Sequence, residues 1–221
     1  MKKADLGDIA ILIDFDGTIT TEDTNDKLVE DYWNDDIEKF FRENNERDMK
    51  YVEFMDGLFS KIRITEKEYL DFILNEIEMA DGFLEFYKKV KGYNIPVAII
   101  SGGFDNGIVA FLKKYGIEDI QVYANHLNFN GDSITIDYFH KRDPKCCHIG
   151  LCGNCKISHV RKFKERYGKV LFIGDGITDE PIASRADIVF AKDGLLRYCK
   201  DHDLDCIPWK DFFDIEEILF A

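Results

Sequence analysis

Two aspartates at the end of an apolar run are the residues of this sequence best suited to chemistry. The run Ile9–Ile13 is followed by Asp14 and Asp16, with Gly17 and Thr18 directly behind them. A carboxylate can act as a nucleophile, as an acid or base, or as a ligand of a divalent cation. Because the run is short, rich in β-formers and bounded by turn residues, it predicts a buried strand that carries both carboxylates at its end.

Two further predicted strands end in residues with similar potential. The segment Ile95–Ser101 is followed by Gly102 and Gly103, and the segment Lys169–Gly176 contains Asp175. In a parallel sheet, ligands bind at the carboxyl ends of the strands, near the point where the strand order reverses. We therefore expect these residues to meet the first two aspartates at one edge of a sheet.

Together with Lys156, which opens a predicted helix, and Asp179, these residues suit phosphoryl transfer. That reaction needs a nucleophile, a proton donor for the leaving oxygen and positive charge around the moving group. The interpretation assigns attack to Asp14, proton transfer to Asp16 and a fixed positive charge to Lys156. Asp14 and Asp175 could hold Mg²⁺ jointly, since this cation prefers oxygen ligands.

Small residues near the strand ends are the candidates for binding the phosphate oxygens. The hydroxyl of Ser101 and the backbone amides of Gly17, Gly102 and Gly103 can all donate hydrogen bonds. Glycine also lets the backbone approach a ligand closely. The sequence therefore predicts a phosphate-binding site built partly from main chain.

The motifs DFDGT, SGG, a lysine at a helix start and GDGITD resemble the four motifs of haloacid-dehalogenase-superfamily phosphatases. The resemblance covers essentially the whole chain. It implies a Mg²⁺-dependent phosphomonoesterase that acts through a phospho-aspartate intermediate on Asp14. It also implies that Thr18 and Ser101 bind phosphate and that Lys156 pairs with phosphate and with Asp14. The implied metal ligands are Asp14, Asp175, Asp179 and, through its backbone carbonyl, Asp16.

The order of predicted elements indicates an α/β fold with an insertion. Strands that alternate with helices predict a Rossmann-like parallel sheet with helices on both faces. Residues 21–80 instead have apolar residues at helical spacing, which predicts three to five helices. We interpret them as a helical cap, similar to that of the phosphoserine-phosphatase-like branch, inserted into a core of residues 1–20 and 81–221. A third strand at Ile120–Ala124 and a small β-hairpin at Leu127–Phe139 complete the prediction.

The cap is expected to select the substrate, because the core motifs supply chemistry for any phosphate monoester. A cap that closes over the site excludes water and adds contacts to the leaving group. We predict that polar residues at its start face the pocket, together with one or more cap aromatics. These polar residues are Glu22, Asp23 and Asn25.

Further motifs indicate which group of phosphatases within the superfamily the sequence resembles most. SGGFD, the pair Asn125-His126 before a hairpin, a cysteine-rich loop, CGNCK and FAKDGLL resemble the 2-hydroxy-3-keto-5-methylthiopentenyl-1-phosphate phosphatases of methionine salvage. The expected substrate is therefore a small phosphorylated metabolite. The alternatives are a phosphatase of the phosphoserine or phosphoethanolamine/phosphocholine type, a phosphotransferase and a non-catalytic binding module.

Composition excludes some partners. The 221 residues carry a net charge of −14 and have a pI near 4.8, so the surface repels nucleic-acid backbones. The N-terminus lacks the apolar core of a signal peptide, and apolar runs stay short of the ~20 residues that span a bilayer. We expect no membrane partner, a cytoplasmic location and a monomer or homodimer.

The six cysteines are expected to be thiols or metal ligands in a reducing compartment. Cys199 and Cys206 predict buried thiols, with a disulfide as the alternative. A second group, near the active-site lysine, could bind structural Zn²⁺ or form a disulfide, although free thiols in an ordered loop are favoured. Its members are Cys146, Cys147, Cys152 and Cys155.

Overall fold

A seven-stranded sheet runs through residues 8–44, 49–140 and 153–220, which are the residues that the computed structural model describes. Its strands are Ile9–Ile13 (β1), Val97–Phe104 (β2), Gln121–Asn130 (β3), Ser133–Asp137 (β4), Lys169–Gly174 (β5), Ile188–Ala191 (β6) and Ile207–Pro208 (β7). Their order is β4-β3-β2-β1-β5-β6-β7, and all neighbours are parallel except β3 and β4.

Helices cover both faces of this sheet, which confirms the predicted α/β class. They are Thr24–Asp31 (α1), Asp35–Glu43 (α2), Tyr51–Phe59 (α3), Glu66–Glu76 (α4), Phe83–Gly92 (α5), Asp105–Lys114 (α6), Lys156–Tyr167 (α7), Glu180–Ala183 (α8), Asp193–Asp201 (α9) and Phe212–Phe220 (α10). Buried side chains of α5, α6 and α10 pack on one face, and those of α7, α8 and α9 pack on the other.

Strand β1 lies at the centre because its side chains are buried on both faces. Ile11 and Ile13 belong to one core cluster, whereas Ala10 and Leu12 belong to the other. Successive side chains of a strand point to opposite faces, so an uninterrupted apolar run suits a strand covered on both sides. Full burial of one such side chain contributes about 1.5–3 kcal/mol. Asp14 is thereby held at the end of the best-buried strand.

The strand order reverses at β1, and this reversal determines where a ligand-binding site can lie. Ile13 of β1 is in register with Ile99 of β2 and with Ile173 of β5. The carboxyl ends of these three parallel strands therefore meet, and ligands bind at such a switch point. The residues after β1, β2 and β5 are the ones in which the predicted motifs lie.

The segment between β1 and α5 contains helices α1 to α4, within the predicted range of three to five. Its two ends pair with each other through an antiparallel bridge between Thr20 and Met79. Ala80 N also donates to the Ile19 carbonyl at 2.8 Å. The insertion therefore leaves and re-enters the core beside β1. The exact boundaries 21 and 80 stay predictions.

The inserted helices also contact the hairpin formed by β3 and β4. Ile64 N donates to the Asp132 carbonyl at 2.9 Å, in the turn of that hairpin. The Tyr138 hydroxyl, just after β4, donates to Asp56 Oδ1 in α3 at 2.9 Å. The hairpin thus connects the inserted helices to the edge of the sheet.

Several element bounds differ from the sequence predictions. The predicted third strand and the first arm of the hairpin are one continuous strand, β3, which pairs with β2 and then with β4. Strand β2 continues past Ser101 to Phe104, because the glycines allow an irregular extension, and β5 ends at Gly174 rather than Gly176. The short elements β7 and α8 were not predicted, since each is too short to show a periodic pattern.

The cysteines are described in part. Cys199 and Cys206 are both thiols, as predicted, but only Cys199 is buried and Cys206 is half-buried. Burial and the neighbouring Cys206 raise the pKa of the Cys199 thiol to about 12. Cys155 is buried before α7, whereas Cys146, Cys147 and Cys152 lie outside the described residues, so the state of that group stays a prediction. Among the described helices, none has the length and apolar character needed to cross a membrane.

Candidate active site

A buried lysine joins two of the candidate carboxylates. Lys156 Nζ lies 2.7 Å from Asp14 Oδ1 and 2.6 Å from Asp179 Oδ1, and it donates to Thr178 Oγ1 at 3.3 Å. Lys156 is the first residue of α7, so the helix start aims its side chain across the ends of β1 and β5. The structure thus brings together three residues that the sequence placed far apart.

The charges of this group are not balanced. Burial raises the pKa of Asp14 well above its usual range, and the Asp179 charge raises it further, although Lys156 opposes the shift. Burial alone would lower the pKa of Lys156, but the charges of Asp14 and Asp179 outweigh it and raise that pKa. The ammonium of Lys156 therefore pairs with two carboxylates. When both are ionised, the group keeps a net negative charge that a bound cation would offset.

Three carboxylates converge closely enough to share a cation. Oxygens of Asp14, Asp175 and Asp179 all lie within 4.8 Å of one another. Burial raises the pKa of Asp175 to about 6, while a hydrogen bond from the Thr18 hydroxyl, 2.7 Å long, opposes the shift. Oxygen ligands of this kind fit Mg²⁺. In this structure Thr18 therefore orients a candidate metal ligand, and its contact with phosphate stays a prediction.

Asp179 is also fixed by the main chain. Its Oδ2 accepts hydrogen bonds from Asp175 N at 3.1 Å and from Gly176 N at 3.3 Å, and the residue is fully buried. These bonds close the short 3₁₀ helix Ile177–Asp179 that follows β5. Asp179 therefore shapes the loop that presents Asp175, in addition to its contact with Lys156.

Asp16 lies apart from the lysine and is held by two hydroxyls. Ser101 Oγ donates to Asp16 Oδ2 at 3.0 Å, and Thr24 donates to Oδ1 through its hydroxyl and, at 3.2 Å, its amide. Burial raises the pKa of Asp16 to about 7, with a further contribution from Asp23, against these hydrogen bonds. A carboxyl with such a pKa can both give and take a proton near neutral pH.

At two positions of the site, a carboxylate lies so close to the backbone that only glycine fits. Gly17 has φ +70°, and a Cβ at this residue would lie 2.5 Å from Asp175 Oδ2. A Cβ at Gly103 would lie 2.6 Å from Asp16 Oδ2. The Gly17 amide donates within its own loop, to the Glu22 carbonyl at 3.2 Å, so its predicted contact with phosphate finds no support.

The extension of β2 supplies the other phosphate-binding candidates. Ser101 is fully buried, and its Oγ accepts a hydrogen bond from Gly103 N at 2.8 Å while donating to Asp16. Gly102 and Gly103 line a cavity that also contains Asp14 and Asp16. Ser101, Gly102 and Gly103 therefore lie where the sequence predicted them.

A cavity of about 660 Å³ separates the strand ends from the inserted helices. Asp23 and Asn25 line it, as predicted, but Glu22 does not. Glu22 is exposed and contributes its carbonyl to the loop, so the predicted contact between its side chain and the substrate finds no support.

Aromatic side chains form the cavity wall opposite the carboxylates. Trp33 and Phe41 line the cavity and stack with ring centroids 5.5 Å apart and planes 9° apart, although they are 51% and 41% exposed. Phe54 and Met55 of α3 line the same wall. The inserted helices thus place an apolar surface across from Asp14.

Several residues of the site carry no motif that reveals them. Thr24, Asn125 and Asn154 are buried polar residues, and each contacts a motif residue. For the two asparagines that motif residue is distant in the chain. One feature of the sequence does point to Thr24: it follows Asp23, a typical N-cap residue, and therefore lies at the start of a predicted helix. Asn125 and Asn154 lay within the quoted segments NH and CGNCK, but their partners could not be read from the sequence.

Comparison with known proteins gives consistent matches. The family model described as haloacid dehalogenase-like hydrolase matches residues 11–184. The chain is 31% identical over 221 residues to 2-hydroxy-3-keto-5-methylthiopentenyl-1-phosphate phosphatase of Bacillus velezensis, covering 93% of this chain and 87% of that protein. It is 32% identical over 212 residues to the protein of that name from Bacillus cereus, covering 96% and 95%.

A solved structure is similar along nearly the whole chain. It is described as a phospho-aspartyl intermediate analogue of phosphoserine phosphatase, and it matches with a TM-score of 0.70 at 21% identity. The match covers 96% of this chain and 98% of that one. At this identity the likeness concerns the fold alone.

Proposed function

We propose that this chain, which belongs to the haloacid dehalogenase-like hydrolase family and is a phosphomonoesterase, works with Mg²⁺ through a phospho-aspartate intermediate on Asp14. The observation that carries the proposal is the group of carboxylates around one buried lysine, with Asp14, Asp175 and Asp179 oxygens within 4.8 Å of one another. Such a group suits a cation and the phosphate that the cation would attract.

The proposed reaction uses Asp14 and Asp16 in two steps. A carboxylate oxygen of Asp14 attacks phosphorus, the bond from phosphorus to the leaving oxygen breaks, and Asp16 gives its proton to that oxygen. The Asp16 carboxylate then takes a proton from water as the water oxygen attacks the acyl phosphate. The bond from phosphorus to Asp14 breaks, its electron pair returns to the carboxylate, and inorganic phosphate leaves.

The surrounding residues support both steps. The Asp16 carboxyl has a pKa near 7, raised first by burial, so both of its protonation forms are accessible at neutral pH. Lys156 keeps its proton beside Asp14 and supplies positive charge to the phosphoryl oxygens. Mg²⁺, held by Asp14, Asp175 and Asp179, would add the charge that lets a carboxylate approach a phosphate dianion.

We further propose that the substrate is 2-hydroxy-3-keto-5-methylthiopentenyl-1-phosphate. Two proteins with that activity in their names share 31% and 32% of their residues with this chain. The cavity wall formed by Trp33, Phe41, Phe54 and Met55 suits the apolar methylthio end of such a molecule. Aromatic rings and thioethers make favourable contacts with sulfur and with one another.

A second candidate is a phosphate ester that carries an amine, such as phosphoserine. Three acidic residues, Asp23, Asp26 and Glu30, line the same cavity near its α1 side. Their charge would attract an ammonium group. The fold likeness to phosphoserine phosphatase agrees with this candidate without favouring it.

A comparison of substrates tests the proposal. Purified protein with Mg²⁺ is assayed for release of inorganic phosphate from the methylthio substrate, phosphoserine, phosphocholine and p-nitrophenyl phosphate. We expect the highest kcat/KM for the methylthio substrate. A higher value for phosphoserine would support the second candidate, and no release from any ester would contradict the proposed activity. Retention of the phosphate on an added alcohol would instead indicate a phosphotransferase.

A further inference from the structure

We propose that two buried asparagines, Asn125 and Asn154, are positioning residues: they aim the backbone amide of Gly102 at the substrate phosphate and the backbone amide of Gly103 at Ser101 Oγ. The inference rests on the proposed phosphatase function and adds two residues to it. Neither side chain lines the cavity, so both would act through the main chain of β2.

The parallel ladder between β2 and β3 is interrupted at this point. Ile100 is in register with Tyr123, but the next pair is Phe104 with Asn125. One residue of β3 thus opposes three of β2, and the Ser101 and Gly102 carbonyls lie in the irregular segment. Buried carbonyls need partners, because each unpaired one costs about 1–3 kcal/mol.

Side-chain amides supply those partners. Asn154 Nδ2 donates to the Ser101 carbonyl at 2.8 Å and to the Tyr123 carbonyl of β3, also at 2.8 Å. Asn125 Nδ2 donates to the Gly102 carbonyl at 2.7 Å. Both asparagines are almost fully buried, with 3% and 1% of their surface exposed. Two successive carbonyls of β2 are therefore held on the side of β3.

This arrangement fixes the direction of two successive amides. In a trans peptide the N–H points opposite to the preceding C=O. The amides of Gly102 and Gly103 therefore point away from β3, toward β1, where Asp14 and Asp16 follow the strand. The Gly103 amide donates there to Ser101 Oγ at 2.8 Å and so holds the serine hydroxyl, which leaves the Gly102 amide as the proposed donor to phosphate. In a regular strand, successive amides would point to opposite sides, so only the irregular segment gives two in parallel.

The asparagines are needed because glycine peptides reorient at low cost. Asn125 is fixed by a hydrogen bond from Phe139 N to its Oδ1 at 3.1 Å. Asn154 is fixed by His159, whose Nε2 lies 2.7 Å from Asn154 Oδ1. Asn154 also lies two residues before Lys156, so the same side chain connects the peptide that carries the Gly102 amide to the helix that carries the lysine.

The test replaces the donors while keeping their shape. In Asn125→Asp and Asn154→Asp, a carboxylate oxygen faces the carbonyl, so the hydrogen bond is replaced by repulsion. We expect the inhibition constant of inorganic phosphate and the KM of p-nitrophenyl phosphate to rise about tenfold. Asn106→Asp is the matched control, because Asn106 Nδ2 also donates to a β3 carbonyl, that of Leu127, at 3.2 Å but away from the glycines. It should lose similar stability and keep its phosphate affinity.

A second measurement observes the Gly102 amide directly. In ¹H–¹⁵N spectra of the wild-type protein with Mg²⁺, inorganic phosphate should shift the Gly102 amide proton downfield. It should do so much less in a folded asparagine variant. An unshifted Gly102 amide in the wild type, or variants whose phosphate affinity equals that of Asn106→Asp, would overturn the proposal. This readout needs no turnover, so it is distinct from the absence of phosphate release that would contradict the proposed function.

Discussion

The Nζ of Lys156 and the Oδ1 of Asp14 are 2.7 Å apart, and only 5% of each side chain is exposed. A buried charge is costly unless it is paired, and the loss of one partner leaves the other uncompensated. Here the ammonium has a second partner in Asp179, at 2.6 Å. Lys156 therefore stays paired when Asp14 changes, which makes Asp14 open to substitution without loss of the fold.

Asp14→Asn should abolish turnover and leave the protein folded. The amide nearly matches the carboxylate in shape but does not attack phosphorus, so phosphate release should fall at least about a thousandfold. Because burial and Asp179 raise the pKa of Asp14, its charged form is disfavoured in the folded state. The Tm at neutral pH without metal should therefore be equal to or above that of the wild type. Substantial phosphate release by the folded variant would rule out Asp14 as the nucleophile.

Asp16→Asn should separate the two steps of the reaction. With p-nitrophenyl phosphate, whose leaving group needs little protonation, the phospho-enzyme should form and then accumulate, because no base activates water. The expected result is one burst equivalent of p-nitrophenolate, followed by steady-state turnover lowered by about 10²–10⁴. Mass spectrometry of acid-quenched protein should find the phosphoryl group on the peptide that contains Asp14. Normal steady-state turnover would contradict the acid/base role.

Metal removal should abolish activity reversibly. EDTA should remove phosphate release and Mg²⁺ should restore it, while Ca²⁺ should not, because it takes more ligands at longer distances. Asp175→Asn should require roughly tenfold more Mg²⁺ for half-maximal activity. Mg²⁺ should also raise the Tm of the wild type more than that of the variant. Full activity in Ca²⁺ alone would contradict the site derived from the three carboxylates.

Much of this site could be predicted from the sequence because its chemical residues lie in short contiguous motifs. Asp14 and Asp16 follow an apolar run, Asp175 follows another, and Lys156 starts a helix, so the parallel-sheet rule alone brings them together. The alternation of strands and helices predicted the α/β fold, and the rule for parallel sheets predicted the side of the sheet on which the site lies.

The residues that hold the motifs in place could not be predicted in this way. Asn154 and Ser101 are 53 positions apart, and Asn125 and Gly102 are 23 apart, so no local pattern marks either contact. The irregular pairing of β2 is also a tertiary feature, since a run that ends in Ser-Gly-Gly suggests a loop rather than a continuing strand. Glu22 is outside the cavity lining for a related reason: the loop after β1 uses its carbonyl, and its side chain is exposed, so its effect on substrate choice stays a prediction.

His159 should make the protein less stable in acid. The residue is 1% exposed, and burial, followed by the charges of His140, Lys162 and Lys156, lowers its pKa to about 3. The unfolded chain binds a proton at this histidine below about pH 6.5, whereas the folded protein does not until about pH 3. Stability from this residue is therefore present above about pH 6.5 and is lost as the pH falls.

Urea unfolding of the wild type and His159→Gln checks this effect. Glutamine keeps a donor for Asn154 Oδ1 but does not titrate. Between about pH 6.5 and pH 4.5, the wild type should lose up to about 1.4 kcal/mol per pH unit relative to the variant. The comparison is between the two proteins at each pH, so the carboxylates that titrate in the same range cancel. Equal pH dependence in the two proteins would show that His159 is not held neutral.

The stacked pair Trp33 and Phe41 should determine which leaving group is accepted. These rings are exposed to the cavity, about half of each in contact with solvent, although such surface is normally buried. A leaving group with an apolar end would cover them, whereas p-nitrophenyl phosphate depends mainly on the strand-end motifs. Trp33→Ala and Phe41→Ala should therefore lower kcat/KM for the methylthio substrate by about ten- to a hundredfold, and by only a few-fold for p-nitrophenyl phosphate.

Phe213→Ala is the matched control for this pair, because Phe213 is 52% exposed and lies on α10, outside the cavity lining. It should leave both kcat/KM values within about twofold of the wild type, as expected of an exposed side chain that contacts no ligand. A loss in equal proportion for both substrates in the Trp33 and Phe41 variants would show that the pair only supports the helices. A selective loss for the methylthio substrate would instead show that the inserted helices determine substrate specificity, because the carboxylates at the strand ends act on the phosphate group that all monoesters share.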